Sequence, residues 1–297
     1  MSLLGMAVAV VAACLIGLGF VAQQHAAFQE PLGRILHPRL LLDLLHSRLW
    51  LAGIALMVAG QLVFAFALDL VGVSQATPVL TVNLVFALIA AHVIYREPFG
   101  ARALLGSLML TGGVALFLGV GQPHGGAPPG TLSFRWLGGA VVLVLAALVG
   151  VAGGHRDLRV RAMLLASAAG LLFGLQDTLT RSVVLLFGAG VADAFRTWQP
   201  YGLVCIGALA LLFAQSAFDA APLRISLPAS TAAEPLTAIA LGVAIFGERI
   251  RLSTRDLALE ALGLAGMVAG IVVLGRSPYL GKPGEMASRD GDGGGGQ

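Results

Sequence analysis

Nine stretches of about twenty apolar residues recur along this chain of 297 residues, and no other feature limits its fold so tightly. A hydrocarbon layer about 30 Å thick is crossed by roughly 20 apolar residues wound as a helix, because each backbone N–H and C=O must be satisfied within the segment. The stretches fall at 2–23, 50–70, 76–95, 103–121, 135–152, 162–187, 200–218, 225–247 and 257–275. Composition agrees: 58% of residues are apolar and 11% charged, far from the balance of a water-soluble domain. A membrane barrel is excluded, because its strands alternate apolar and polar residues, whereas Ala52 to Leu70 and Leu262 to Leu274 are apolar on nearly every side. The expected class is an all-α polytopic membrane protein with nine transmembrane helices.

The first stretch has no Arg or Lys before it and is longer than the apolar region of a secretory signal, so a retained helix is expected. Cys14 and Cys205 fall inside apolar stretches as small packing residues, not as a disulfide framework. Nine spans place the termini on opposite faces and sort the basic residues by side. Arg34, Arg39, Arg48, Arg96, Arg102, Arg156, Arg159, Arg161, Arg224, Arg276, Lys282 and Arg289 fall on one face, and Arg135, Arg196, Arg249, Arg251 and Arg255 on the other. The richer face is the cytoplasmic one by the positive-inside rule. The chain is therefore expected in the inner or plasma membrane with its N-terminus outside and its C-terminus in the cytoplasm. Trp50, Tyr95, Trp136, Trp198, Tyr201 and Tyr279 each stand near an expected interface. The basic residues form no stripe, so no nucleic-acid partner is expected. Residues 279–297 are polar and Gly-rich and read as a disordered cytoplasmic tail.

An internal repeat organises the rest. Ala67, Asp69, Pro78, Thr81 and Glu97 recur as Ala217, Asp219, Pro228, Thr231 and Glu248, in register except for one added residue before the last. Polar residues and prolines in register are harder to obtain by chance than matched Ala or Leu. The copies begin at spans five apart, an odd number, so they enter the membrane in opposite senses. The expected organisation is a first four-helix repeat over 1–121, a connector with the fifth helix over 122–160, and a second, inverted repeat over 161–278.

The pattern Trp50, Gly53, Met57, Gly60, Pro78 and Arg96-Glu97, followed in the second half by Gln215, Phe218-Asp219, Pro228 and Glu248, resembles the NIPA-type magnesium transporters of the drug/metabolite transporter (EamA-like) superfamily. The resemblance covers roughly residues 1–278 and implies transport, with magnesium as the ion of that subfamily. Gln61 stands where the family pattern has Glu, and Phe64 where it has Asn. A magnesium site takes hard oxygen ligands and normally a carboxylate, so the metal ligands, if any, are unknown from the sequence.

Ionisable residues within an apolar span are expensive and are a functional hypothesis by default. Asp177 and Glu234 qualify. Asp177 continues a stripe of small residues, Ala166, Gly170 and Gly174, that must face other helices. Arg181 lies one turn further and is expected to pair with Asp177, either as a structural ion pair or as part of a binding site, with Gln176 as a polar companion. Glu234 has no base three or four residues away. Pro235 follows it and frees the Thr231 carbonyl, and Pro228 interrupts the same segment, as Pro78 does in the first half. Breaks at Pro78, Pro228 and Pro235 beside a lone acid fit the discontinuous helices of transporters. The first half adds Gln61, Thr81 and Asn83, so a polar but asymmetric site is expected from Gln61, Thr81, Asn83, Gln176, Asp177, Arg181, Thr231 and Glu234. Glu97 and Glu248 are expected to fix helix ends near water, and Gln23, Gln24 and Gln199 to anchor at the interface.

Three classes of function follow. The first is a secondary transporter of a small solute or divalent cation, or an exporter of amphipathic metabolites, working by alternating access. The second, an intramembrane enzyme, finds no His-Glu-x-x-His, Gly-x-Ser-x-Gly or Walker run, and no cofactor is expected. The third, a scaffold, gives no reason for acids inside the lipid. The expected partners are the bilayer, a small solute or a cation such as Mg2+ or H+, and in assembly a second copy as a homodimer.

Overall fold

Helices form where apolar residues run unbroken, and turns, glycines and charges end them. The computed structural model describes residues 3–30, 35–71, 76, 79–97, 99–120, 136–153, 156–248 and 253–276. Its elements are α1 (Leu3–Phe28), α2 (Pro38–Leu44), α3 (Arg48–Val71), α4 (Asn83–Tyr95), α5 (Ala101–Val120), α6 (Leu137–Ala152), α7 (Leu158–Ala189), α8 (Val191–Ala194), α9 (Gln199–Ala220), α10 (Leu223–Leu241) with a π-helical turn Gly242–Phe246, and α11 (Thr254–Gly275). No strand occurs among the described residues. Seven helices, α1, α3, α5, α7, α9, α10 with its π turn, and α11, are long and apolar enough to cross a membrane, while α4 and α6 are apolar but shorter. The chain is a multi-pass membrane protein. Pro78, Asp69's side chain, Arg249 and the tail beyond 276 lie outside the described residues.

The helices pack through small residues. Gly19 and Gly53 bring α1 and α3 together, with a Cβ on Gly53 lying 2.9 Å from the Gly19 carbonyl. A Cβ on Gly60, one turn from Met57, would stand 3.1 Å from the Ala12 carbonyl. The Gly53–Met57–Gly60 run is thus the face of α3 that packs on α1. The stripe on α7 behaves likewise: a Cβ on Gly170 would stand 2.7 Å from the Ser230 carbonyl, and one on Gly174 2.6 Å from the Glu234 carbonyl. The stripe therefore sets α7 directly against α10. Gly113, Gly263 and Gly270 do the same between α5 and α11. α7 also packs on α9, and α1 on α4.

Two expectations about helix ends are corrected. α1 runs to Phe28, because Gln23 and Gln24 are buried against other helices and do not anchor at an interface. Gln199 is likewise fully buried. α10 passes through both Pro228 and Pro235 without a break. Nearby hydroxyls hold this helix: Ser230 Oγ and Thr231 Oγ1 donate to the Leu227 carbonyl at 2.9 and 3.0 Å, and Thr237 Oγ1 to that of Ala233 at 2.8 Å. Side-chain and neighbouring-helix contacts let a membrane helix carry proline. The irregularity appears instead past the second proline, as the π turn Gly242–Phe246.

Candidate functional site

A cavity of about 570 Å³ lies among α1, α3, α4, α5, α7, α9 and α10. Its acids come from two helices of the second half that the glycine stripe holds together. Asp177 projects from α7 and Glu234 from α10, and the two carboxyls are near enough to interact electrostatically. Asp177 is exposed although it lies midway along α7, so its free surface is toward the cavity it lines. Pro235 and Thr231 stand on the same wall, with the Thr231 carbonyl lacking the helix donor that proline cannot supply. The opposite wall carries Gln61 of α3, and Thr81 and Asn83 at the start of α4. Thr81 is fixed there by reciprocal bonds: its hydroxyl donates to the Thr111 carbonyl and the Thr111 hydroxyl to its own, both at 3.4 Å. Four phenylalanines, Phe20, Phe64, Phe173 and Phe218, supply the apolar part of the wall.

Seven of the expected polar residues thus meet at one cavity: Gln61, Thr81, Asn83, Asp177, Arg181, Thr231 and Glu234. Gln176 does not. It points to the far side of α7, where its amide lies 3.4 Å from a Cβ placed on Gly207 of α9. Pro228 is buried within α10 and off the cavity wall.

The expected pairing of Arg181 with Asp177 is corrected. Arg181 Nη1 is ion-paired with Glu248 Oε1, and its guanidinium lies 4.4 Å from the centre of the Phe246 ring. Glu248, expected at a wet helix end, has a side chain only 6% exposed and lines the cavity, while that of Arg181 is 46% exposed. The reason is the chain path. The π turn shifts the register at the end of α10, and Gly247 at φ +68° turns the chain back, so that Glu248 packs over Gly242, where any Cβ would overlap its carboxylate. Removing one partner of such a pair strands the other. Arg181→Met is expected to destabilise the protein by about 1–3 kcal/mol, less than a fully buried pair because Arg181 is half exposed. Adding Glu248→Gln should recover most of that loss, and thermal unfolding of the purified protein measures both.

A buried polar layer, not expected from the sequence, lies beneath the phenylalanines. Gln215 Nε2 of α9 donates to Gln23 Oε1 of α1 at 2.6 Å, and Arg224 Nη1 lies 3.7 Å from Glu97 Oε2. Burial raises the Glu97 carboxyl above its usual range, and the Arg224 charge opposes that. The signal was present in Gln23 and Gln215, two amides within otherwise apolar runs.

Residues 32–119 match the EamA-like transporter family. That match covers α2, α3, α4 and α5 with Gln61, Thr81 and Asn83, and leaves the acids outside it. An uncharacterized protein of Corynebacterium glutamicum is 27% identical over 94% of this chain and 97% of its own. A probable 4-amino-4-deoxy-L-arabinose-phosphoundecaprenol flippase subunit ArnE of Enterobacter is 37% identical over 24% of this chain and 66% of its own. Its counterpart in Erwinia tasmaniensis is 36% identical over 23% of this chain and 64% of its own. No solved structure matches.

Proposed function

We propose that this chain is a secondary transporter of the EamA-like type that carries a small amphipathic solute bearing a positive charge, with Asp177 and Glu234 holding that charge or a proton exchanged for it. The observation that carries the reading is the meeting of two carboxyls from adjacent helices on one solvent-reached cavity walled by both halves of the chain. Three acids and one base line the wall; Glu248 engages the base, Arg181, which leaves Asp177 and Glu234 as an excess of negative charge in an apolar bundle. An ammonium group neutralises that excess, and the four phenylalanines take an apolar body and attract a cation to their faces. The family match and the flippase subunits, whose named cargo carries an amino group, point the same way over parts of the chain.

In this reading the chain crosses the cell membrane nine times as two oppositely oriented four-helix repeats, joined by the helix at 137–152, with the N-terminus outside. Helix pairing supports it: α1 packs on α3 and α4 as α7 packs on α9 and α10, the corresponding elements of the repeat. Magnesium, the ion implied by the closer family resemblance, is the less favoured cargo. Gln61 removes the carboxylate expected in the first half, and among the described residues no three His, Cys, Asp or Glu side chains gather at metal-holding distance. The test is uptake into proteoliposomes of two probes, radiolabelled phenethylamine and Mg2+. The proposal expects saturable phenethylamine uptake that accelerates with an opposing proton gradient and is absent from protein-free vesicles. Mg2+ uptake without phenethylamine uptake would replace it with the magnesium reading.

A further inference from the structure

The contacts between helices fall into two kinds. Within each half, and between α5 and α11, glycines let backbones approach so closely that an added Cβ would stand 2.6–3.2 Å from a facing backbone atom. Such contacts are rigid, because nothing there can slide without overlap. The contacts that join α1 and the 35–47 segment to α9, and Glu97 to the start of α10, are of another kind.

At that end the cavity floor is Phe20 against Phe218, edge to face with ring centres 6.3 Å apart. One turn beyond each ring stand Gln23 and Gln215, 2% and 0% exposed and bonded to each other, with Gln23 Nε2 also 2.6 Å from Met57 Sδ. Beside them Arg224 at the start of α10 meets Glu97 after α4. Over this layer residues 35–47 reach the second half as a strap. Ile35 packs among Ala162, Ala217 and Ile225, the Leu36 N–H donates to Ser216 Oγ at 2.9 Å, and Leu40 and Leu44 of α2 are fully buried. Leu36 holds φ +62°, a left-handed conformation that leucine adopts only under constraint.

We infer that Gln23, Gln215, Glu97 and Arg224, covered by the 35–47 strap, form a gate that shuts the cavity on this face and parts when the cavity opens there. A hydrogen bond exchanged for bonds to water contributes only about 0.5–1.5 kcal/mol net, so polar pairs are a seal that can break and reform. An equally buried apolar seal would resist opening in proportion to the area wetted. The glycine-packed α5–α11 contact, which also joins the halves, is then the pivot. Asp177 is exposed within the cavity, and Thr81, Asn83 and Glu248 line it near the ends of α4 and α10 opposite to Glu97 and Arg224.

This inference rests on the cavity being the transport path, and its test separates the two. Thr231→Cys is introduced into the full chain with Cys14 and Cys205 replaced by Ala, in sealed proteoliposomes, and labelled with a membrane-impermeant maleimide from each face. The parent should label from the face opposite Arg39 and Arg48. Gln215→Ala and, independently, Glu97→Gln should raise labelling from the Arg39 face roughly five- to tenfold, the effect of losing one buried hydrogen bond. Unchanged labelling from that face in both variants, with the opposite face still reactive, overturns the gate and leaves the cavity reading standing. A cysteine labelled from neither face overturns both.

Discussion

Glu234→Gln is expected to abolish concentrative uptake of phenethylamine, lowering its rate roughly 10- to 150-fold, while the purified protein unfolds at the same or a higher temperature. The amide keeps the shape of the acid and its capacity for hydrogen bonds but cannot hold a cation or exchange a proton. A charged hydrogen bond contributes about 1.5–3 kcal/mol, and each 1.4 kcal/mol is about a factor of ten. Stability should not fall, because an acid enclosed by apolar helices is a liability that the amide relieves. Asp177→Asn should be milder, since Asp177 is solvent-exposed within the cavity and Glu234 remains. Uptake and thermal unfolding, measured on the same preparations, separate a lost binding group from a lost fold.

Gly174→Leu should have the largest effect on the fold. Its Cβ would stand 2.6 Å from the Glu234 carbonyl and 2.9 Å from the Ala238 N, both backbone atoms that cannot yield without moving α10. Overpacking a core ordinarily costs about 1–3 kcal/mol, and a collision with two backbone atoms of α10 exceeds that range. The variant should be recovered in low yield or with a markedly lowered unfolding temperature. Gly112→Leu is the control, because a side chain there meets nothing within 4 Å. Equal stability of the two variants would mean that α7 and α10 are not held at backbone distance.

Much of this was readable from the residues. Apolar run lengths located the helices, and the small residues at 166, 170 and 174 announced a close neighbour, which is α10. The lone acids at 177 and 234 were legible because an ionisable group in an apolar run must face a cavity or a partner. What escaped was set by the chain path. Glu248 reaches Arg181 only through a π turn and a left-handed glycine, neither of which leaves a periodic trace, so Arg181 was assigned to the acid four residues away on its own helix. The prolines were read as breaks because proline lacks a donor, yet hydroxyls at 230, 231 and 237 share the helix bonding and α10 continues. Gln23 stands near a helix end and reads as an interfacial anchor, while Gln215 reads only as part of the family-like pattern. Their partnership spans 192 residues and becomes visible only once α1 and α9 are side by side.

Transport through the cavity requires Glu234 to face a space that both solute and solvent enter, and chemical modification tests this without reliance on flux. The purified protein in lipid nanodiscs is treated with a hydrophobic carbodiimide, with and without saturating phenethylamine, and modified carboxyls are located by mass spectrometry. Modification of Glu234 that the amine suppresses is the predicted result. A Glu234 left untouched, or modified at the same rate with the amine present, contradicts it.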